Sequence, residues 1–361
     1  MTTEDITTLR LVNQGIAPAS GVKTPEAVVK HMGAMQAQDY YGSVWAIGLR
    51  TNRTEKEVIR SIEAHSIVRT WPQRGTIHFV PAEDARWLVS LSADRLVRGA
   101  RGRQEQLGLS QDMLAQSKVV LTRALADGRF LTRPKVMETL EAAGISTKSG
   151  IGYHILWYLS QTGVTFIGPM EGKQQTIGLL DGVAATHQSF SQHEGMAELA
   201  KRYFISHGPA TMADFMWWSG LKTADAKAAV EAHASVLTSE KIEDKEYWMS
   251  KASLVAFKTG AAPTESYLLP GFDEYMLGYK DRTAALHIDH TQKIVPGGNG
   301  MFLSTIVVGG QVVGTWKRVI KKDHVLITLS PFRMLTKAEL KSLERPAEQY
   351  GRFLELPAKL A

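Results

Sequence analysis

A helix that starts at a threonine occurs three times along this chain, each time after another amphipathic helix. The starts are Thr24, Thr132 and Thr211, and apolar residues follow four and five positions after each of them. The hydroxyl of such a threonine accepts a hydrogen bond from an N–H group in the first helical turn. The helices expected before the three starts cover residues 9–15, 119–127 and 196–206. A helix, a short turn and a capped second helix are typical of a helix-turn-helix unit.

Short apolar strands follow each of the three starts. The expected pairs cover residues 68–71 and 75–80, 164–168 and 176–180, and 237–242 and 247–249. Two such strands around a polar turn are typical of the wing of a winged helix. The sequence therefore predicts three winged helices in tandem. The alternative is that these segments form ordinary α/β bundles without a DNA-binding wing.

The C-terminal part of the chain has a different pattern. Apolar runs predict strands at residues 267–270, 293–296, 305–316 and 324–329, followed by a helix at 337–351. The pair Gly309-Gly310 between two apolar runs predicts a tight hairpin. The predicted fold is α+β. The predicted parts are a first winged helix (1–80), a helical spacer (81–118), a second winged helix (119–190), a third (191–262) and a β-rich domain (263–361).

Charge and cysteine content limit the class of protein. The formal net charge is +6 and the pI is near 9.3, which favours a polyanionic partner. There is no cysteine, which excludes disulfides, cysteine-ligated zinc and a thiol nucleophile. The N-terminus lacks the basic and apolar regions of a signal peptide, and no stretch reaches the roughly 18 apolar residues of a membrane span. We therefore expect a cytoplasmic protein with no membrane partner.

Five motifs carry a family resemblance. They lie at residues 35–39, 74–84, 268–275, 278–282 and 314–318, in order along nearly the whole chain. Together they resemble the bacterial winged-helix DNA glycosylases of the AlkZ and YcaQ kind. Those enzymes unhook interstrand crosslinks and remove bulky N-alkylated purines. The resemblance implies a monomer that binds double-stranded DNA with alkylated purines or crosslinks in a concave channel, without cofactor or metal.

The same resemblance implies a catalytic site. The family motif of Gln, an apolar residue and then Gln or Asp matches Gln36, Ala37 and Gln38. Asp39 is a further candidate, as water activator or orienting residue, and its alternative role is a helix cap. The family probes DNA with a β-hairpin. The candidates for this hairpin are Gly309, Gly310 and Gln311, and the glycine-rich segment 296–300 is a second candidate for close approach to DNA.

The chemistry of two glutamines restricts the substrate. Residues two positions apart cannot share a helix face, so Gln36 and Gln38 can act together only where the helix from Thr24 has ended and the chain is extended. An amide does not titrate near neutrality and is no strong general base. Amides that position water and stabilise a sugar cation contribute about 3 to 4 kcal/mol. That suffices for cationic alkylated purines, which leave readily, and argues against uracil or undamaged bases.

Cationic residues are the expected contacts to DNA phosphates, with one tryptophan beside them. The predicted set is Arg69, Arg74, Arg95, Arg98, Arg101, Arg103, Trp316, Lys317 and Arg318. We expect other polar residues to be structural: Asp273 and Glu274, with Lys280 or Arg282 as ion-pair partners, and His78 as a packed histidine. His287, Asp289 and His290 lack the ligand spacing of a metal site.

Two rival functions remain from the sequence alone. The first is a non-catalytic winged-helix protein, either a regulator or an architectural DNA-binding protein. The absence of a heptad repeat or an evident ligand domain counts against it. The second is a cofactor enzyme with residues 297–300 as a phosphate loop. This segment lacks the Gly-Lys-Ser/Thr ending and a following helix, so we reject it.

Overall fold

The computed structural model describes residues 1–17, 22–183, 188–259 and 265–361, apart from the side chains of residues 258 and 259. The chain divides into two compact units. One comprises Met1–Ile59 and Met196–Ala361, and the other Arg60–Gly195. This grouping differs from the five tandem parts expected from sequence, because it assigns the strands at the end of the predicted first winged helix to the second unit. The expected boundary at residues 262 and 263 lies outside the described residues.

The N-terminal elements of the first unit are mostly helical. They are α1 (Thr3–Asn13), α2 (Pro25–Met32), β1 (Met35–Gln36), α3 (Tyr40–Thr51) and α4 (Glu55–Glu63), whose last residues belong to the second unit. Thr24 caps α2 as predicted, since its hydroxyl accepts the N–H of Ala27 at 3.2 Å. Pro25 occupies the first helical position, where no N–H is needed.

The second unit combines one antiparallel sheet with helices. Its elements are β2 (Ile67–Thr70), β3 (His78–Pro81), a 3₁₀ turn (Ala82–Asp84), α5 (Ala85–Gly99), α6 (Arg101–Gln106), α7 (Gln111–Ala124), β4 (Leu131–Thr132), α8 (Arg133–Ala142), α9 (Ile151–Gln161), β5 (Thr165–Glu171) and β6 (Gln174–Leu179). Within this unit the strands lie in the order β3, β2, β5, β6, β4. Strands β2 and β5 are joined at Arg69 and Ile167, so the two predicted wings share one sheet.

Helix α7 belongs to the core of the second unit. Leu114 and Leu121 on α7 are buried in one cluster with Val136 on α8 and Ile155 on α9. The predicted helical spacer, residues 81–118, is therefore not one continuous helix. It is divided into α5, α6 and the first half of α7, and the last of these packs with the elements that follow it.

The third helix-turn-helix prediction lies in the first unit. Its elements are α10 (Gln192–Ser206), which begins in the second unit, and then α11 (Met212–Ser219), α12 (Thr223–Glu231), β7 (Leu237–Ile242), β8 (Lys245–Ser250) and α13 (Lys251–Thr259). Thr211 caps α11 as predicted, and Asp214 completes a capping box by accepting the N–H of Thr211 at 2.9 Å. Strands β7 and β8 form an antiparallel hairpin over their full length.

The C-terminal segment of the first unit is built on a sheet. Its elements are β9 (Ser266–Leu269), α14 (Glu274–Leu277), α15 (Thr291–Ile294), β10 (Thr305–Val308), β11 (Gln311–Ile320), β12 (Val325–Pro331), α16 (Lys337–Ser342), α17 (Glu344–Leu354) and β13 (Ala358–Leu360). The strand order is β13, β12, β11, β10, β9. The strand predicted at 293–296 was wrong. That segment covers the end of α15 and the start of a 3₁₀ turn (Pro296–Gly298). Ile294 is its only buried side chain, so the segment lacks the alternating buried and exposed residues of a strand.

Helix α3 is held against this sheet by aromatic side chains. The indole N–H of Trp45 donates to the carbonyl of Leu268 on β9 at 2.9 Å, and its ring lies 4.9 Å from that of Tyr350 on α17. Trp316 on β11 donates in the same way to Leu269 at 2.8 Å. Paired indole N–H groups keep these large apolar side chains buried without an unsatisfied donor. Among the described residues, no helix is both long and apolar enough to span a bilayer.

Candidate active site

Gln36 and Gln38 lie in an extended connection between two helices. Helix α2 ends at Met32, and Gly33 follows with a positive φ of 78°, a conformation that favours glycine. Helix α3 begins at Tyr40. The prediction that the motif is extended just after the helix from Thr24 is confirmed. Gln36 is buried, with 8% of its surface exposed, whereas Gln38 is exposed.

The two amides hydrogen bond to each other. Nε2 of Gln36 donates to Oε1 of Gln38 at 2.7 Å, and the backbone N–H of Gln38 donates to Oε1 of Gln36 at 3.3 Å. The buried glutamine thereby fixes the exposed one. Each amide has two N–H groups and an acceptor oxygen, so the pair can also bind a water molecule or a polar substrate.

Asp39 is the N-cap of α3. Its Oδ1 accepts the N–H of Gly42 at 3.2 Å, and a Cβ on Gly42 would lie 2.5 Å from Oδ2. Its side chain is exposed. The structure thus gives Asp39 the helix-capping role that was the alternative to its catalytic one.

A buried carboxylate lies behind Gln36. The backbone N–H of Gln36 donates to Oε1 of Glu274 at 2.9 Å. The indole N–H of Trp218 donates to Oε2 at 3.0 Å, and Nε2 of His207 lies 3.4 Å from the same oxygen. Glu274 is the first residue of α14 and is only 2% exposed. An acidic side chain in the first turn of a helix is favoured by the helix dipole.

His207 is fully buried beside Glu274. Burial lowers the pKa of this histidine, the Arg50 and Arg10 charges lower it further, and the hydrogen bond to Glu274 opposes the shift without reversing it. The ring is therefore neutral at neutral pH. Nδ1 of His207 lies 2.8 Å from the hydroxyl oxygen of Ser206, and that hydroxyl donates its proton to the carbonyl of Arg202 at 2.7 Å.

Asp273, next to Glu274, is paired with Arg50 on α3. Nη1 and Nη2 of Arg50 each lie 2.8 Å from a carboxylate oxygen of Asp273. Both side chains are buried. The structural role expected for Asp273 is confirmed, but its expected partners were wrong: the ion pair is with Arg50 and not with Lys280 or Arg282.

Three buried tyrosines complete this network. Burial raises the pKa of Tyr203, Tyr275 and Tyr279, so all three remain neutral donors. Tyr279 donates to the carbonyl of His207 at 2.7 Å, and Tyr203 to that of Gly278 at 2.7 Å. The motifs at 268–275 and 278–282 thus build the support of the Gln36 site.

The predicted arginine cluster is a cationic surface of the second unit. Arg95, Arg98, Arg101 and Arg103 are all exposed on α5 and α6. Arg98 and Arg101 line a cavity of about 870 Å³ within this unit. Arg74 is half-buried. Arg69 is only 1% exposed, so its guanidinium does not reach a surface where phosphates bind, and its prediction as a DNA contact was wrong.

The three residues of β11 that were expected to contact DNA differ in their exposure to solvent. Lys317 is exposed and Arg318 is half-buried. Trp316 is 2% exposed and belongs to the core described above, so the prediction that it touches DNA was wrong.

The predicted Gly309-Gly310 turn joins β10 and β11, and Gly309 is exposed. Gly310 is buried, its carbonyl accepts the Tyr275 hydroxyl at 2.6 Å, and a Cβ there would lie 2.5 Å from Oγ1 of Thr7. Gln311 donates to the carbonyl of Ala284 at 2.8 Å. These contacts fix Gly310 and Gln311, and a DNA-probing role of Gly309, Gly310 and Gln311 stays a prediction. The hairpin with an exposed basic turn is β11–β12, with Lys321 and Lys322 at its tip.

The histidines predicted to be structural were compared with the requirements of a metal site among the described residues. His78 is fully buried and its Nδ1 lies 2.8 Å from the carbonyl of Thr76, which confirms a packed histidine. Within the part of the chain that the structure describes, no group of three His, Asp or Glu side chains could hold a metal ion. Residues 296–300 are exposed, and their close approach to DNA stays a prediction.

Sequence reasoning missed the partners of Glu274. Trp218 and His207 were not singled out, since they lie 56 and 67 residues before it. Neither residue belongs to a motif with a characteristic spacing. Only the fold brings them to one carboxylate.

Comparison with known proteins identifies the family of this chain. Residues 29–353 match the sequence model of the family described as DNA glycosylase AlkZ-like. The chain is 24% identical, over 95% of its length and 94% of the other protein, to an interstrand DNA cross-link repair glycosylase of Streptomyces sahachiroi. Its fold is similar to the solved structure of the Streptomyces sahachiroi DNA glycosylase AlkZ, with a TM-score of 0.83, 22% identity and full coverage of both chains. This chain therefore belongs to the AlkZ-like DNA glycosylase family.

Proposed function

We propose that this DNA glycosylase hydrolyses the N-glycosidic bond of cationic N-alkylated purines, with Gln36 and Gln38 as the residues that position water and stabilise the sugar cation. The observation that carries the proposal is the hydrogen-bonded amide pair, in which buried Gln36 holds exposed Gln38 at 2.7 Å. An amide pair of this kind offers fixed dipoles to a developing positive charge, without a strong base.

The bond changes fit a site without a strong base. The bond between C1′ and the purine nitrogen breaks, and its electron pair goes to the purine, whose positive charge it cancels. The sugar becomes an oxocarbenium-like cation, and the oxygen of a water molecule forms the new bond to C1′. That water then loses one proton to the solvent. The amide oxygens orient the water and face the cation, and proton removal from water can follow bond breaking.

Crosslinked DNA is a second substrate class. The Streptomyces sahachiroi relative is described as an interstrand DNA cross-link repair glycosylase. A crosslink through purine nitrogens has the same cationic leaving group as a monoadduct. We infer that the same amide pair unhooks such crosslinks.

DNA binding is assigned to helix-turn-helix and basic elements. We infer that the three winged-helix units predicted from sequence, the exposed arginines of α5 and α6, and Lys317, Lys321 and Lys322 on the β11–β12 hairpin bind duplex phosphates. A concave channel, a monomeric state and a cytoplasmic location belong to the same proposal.

The experiment is base release from a duplex oligonucleotide with one N7-methylguanine. Wild type is compared with Gln36→Ala, Gln38→Ala and the matched control Gln292→Ala, whose side chain is exposed on α15. We expect wild type and the control to produce abasic sites, and the two motif variants to lose release while they still bind DNA.

Two outcomes would contradict this proposal. DNA binding without release, repeated on a bulky adduct and on a crosslink, would favour the non-catalytic DNA-binding protein. A borohydride-trapped protein–DNA adduct would show a Schiff base, which the proposal excludes because residues 34–41 contain no lysine.

A further inference from the structure

We propose that Glu274 acts in the reaction through Gln36: it positions the amide pair, and its negative charge stabilises the oxocarbenium-like sugar. This inference rests on the proposed function of Gln36 and Gln38. It assigns a role to a residue that the sequence alone indicated to be structural.

The position of Glu274 is fixed from several directions. Its carboxylate accepts the backbone N–H of Gln36 at 2.9 Å and the indole N–H of Trp218 at 3.0 Å, and Nε2 of His207 lies 3.4 Å from it. The backbone carbonyl of Glu274 also lies 3.4 Å from Nε2 of Gln14. A carboxylate fixed in this way needs no reorganisation when charge develops nearby.

The surroundings of Glu274 keep its charge effective. It is 2% exposed, so water does not screen it as it would a surface group. His207 is neutral at neutral pH for the reasons given above. A buried negative charge one hydrogen bond behind the motif favours a cation in front of it.

Glu274 also sets the geometry of the amide pair. It bonds to the backbone of Gln36, and the side chain of Gln36 bonds to Gln38. The carboxylate, the buried amide and the exposed amide thus form one hydrogen-bonded chain. Chains of this kind polarise one another, so loss of the charge weakens the later members.

The test is equilibrium binding to two abasic-site analogues in the same duplex. One is a protonated pyrrolidine, which imitates the charge of the sugar cation, and the other is neutral tetrahydrofuran. We expect wild type to bind the pyrrolidine duplex more tightly. Glu274→Gln should lose about tenfold of that preference, because one buried charge is removed, with unchanged affinity for the tetrahydrofuran duplex.

Two further variants separate charge from position. Glu274→Asp keeps the charge on a shorter side chain, so it should keep the pyrrolidine preference while base release falls. Trp218→Phe keeps the ring and the carboxylate but removes one donor. It should also keep the preference. A purely structural role would lower both affinities and the preference together in all three variants.

Different results would contradict the role of Glu274 and the proposed function. A wild-type protein with no preference for the pyrrolidine duplex overturns the role of Glu274 even if Glu274→Gln does not fold. An equal preference in wild type and folded Glu274→Gln overturns it as well. A lost preference in Glu274→Gln, combined with no base release by wild type, contradicts the proposed function and leaves the charge effect standing.

Discussion

Arg50 and Asp273 form a two-pronged ion pair with both nitrogen–oxygen distances at 2.8 Å, and both side chains are buried. Arg50 lies on the helix that follows the Gln36-Gln38 motif, and Asp273 precedes Glu274. The pair therefore ties the two chain segments of the site together. Arg50 also donates to the carbonyls of Gln14 and Ala46 and to Oε1 of Gln14, so all five of its N–H groups are used.

Removal of one partner of this ion pair should strongly destabilise the protein. Asp273→Asn leaves the Arg50 charge buried without its counter-ion, and such changes cost about 3 to 5 kcal/mol of unfolding free energy. The measurement is urea denaturation of the variant and wild type. The matched control is Lys56→Met, which breaks the exposed pair with Glu355 and should cost no more than about 1 kcal/mol. Equal losses in the two variants would show that the Arg50–Asp273 pair adds little.

Gly278 should be required for the site because a larger residue has no room there, and not because of its backbone φ angle. Its φ is −65°, but a Cβ there would lie 2.5 Å from Cδ2 of His207 and 2.6 Å from the carbonyl of Glu274. Gly278→Ala should therefore displace His207, cost about 1 to 3 kcal/mol of stability and reduce base release.

The control for Gly278 is Gly102→Ala on α6, where a Cβ would meet nothing within 4 Å. Alanine is the better helix former, so this change should leave stability unchanged or raise it by up to about 1 kcal/mol. Thermal unfolding and base release are measured for both. A folded and fully active Gly278→Ala protein would show that the position of His207 does not matter.

Local signals in the sequence identified most elements and half of the site. Thr24 and Thr211 were recognised as caps because capping depends on the residue and its next few neighbours. Thr132 precedes α8 as predicted, but its side chain accepts no capping hydrogen bond, so that part of the prediction was wrong. The extended conformation of Gln36 and Gln38 was also predicted from residues that are close in the sequence. The helical segment at Thr291–Ile294 was missed, because one buried residue gives no period.

Long-range contacts account for what the sequence did not show. The assignment of Asp273 to Lys280 or Arg282 used closeness along the chain, whereas Arg50 lies 223 residues away. Trp316 was expected at the surface because Lys317 and Arg318 follow it. On a strand, neighbours alternate between faces, and Trp316 is on the buried one.

The arginine surface of α5 and α6 should control the salt dependence of DNA binding. Replacement of Arg95, Arg98, Arg101 and Arg103 by glutamine removes four exposed positive charges. The slope of log affinity against log salt should become shallower by about 0.9 for each DNA phosphate that the variant no longer neutralises. Lys118→Gln, exposed on α7, is the control and should change the slope little. An unchanged slope in the fourfold variant would place the phosphates elsewhere.

The two hairpins of the C-terminal sheet should behave differently in DNA binding. Lys321→Gln with Lys322→Gln removes the exposed charges at the β11–β12 turn and should weaken duplex affinity severalfold. Gly309→Ala alters the β10–β11 turn at a φ of 55° where no atom is close. It should cost some stability through backbone strain, with DNA affinity unchanged. Competition binding with a labelled duplex checks both. A larger effect of Gly309→Ala would favour that turn as the DNA-probing one.

Stability should fall as the pH drops below about 6.5, the ordinary pKa of histidine. Burial lowers the pKa of both His31 and His207 in the folded protein, whereas the unfolded chain has the ordinary value. Between the two pKa values the unfolded state binds more protons, so each histidine reduces stability by about 1.4 kcal/mol per pH unit. The stabilising effect of the neutral rings is therefore complete above pH 6.5 and is lost on acidification.

The variant that tests this pH dependence is His31→Gln. His31 Nε2 lies 2.6 Å from the carbonyl of Asn13, and an amide N–H can replace that donor without titrating. The plot of unfolding free energy against pH should be flatter for His31→Gln than for wild type between about pH 6.5 and the lowered pKa of His31, and its slope should match that of wild type above about pH 6.5. His287→Gln, at an exposed position, serves as the control and should follow wild type. Since acid also protonates carboxylates, only the difference between His31→Gln and His287→Gln reports on the buried ring. Parallel curves for these two variants would mean that the pKa of His31 is the same in the folded and the unfolded protein, against the lowering that its burial requires.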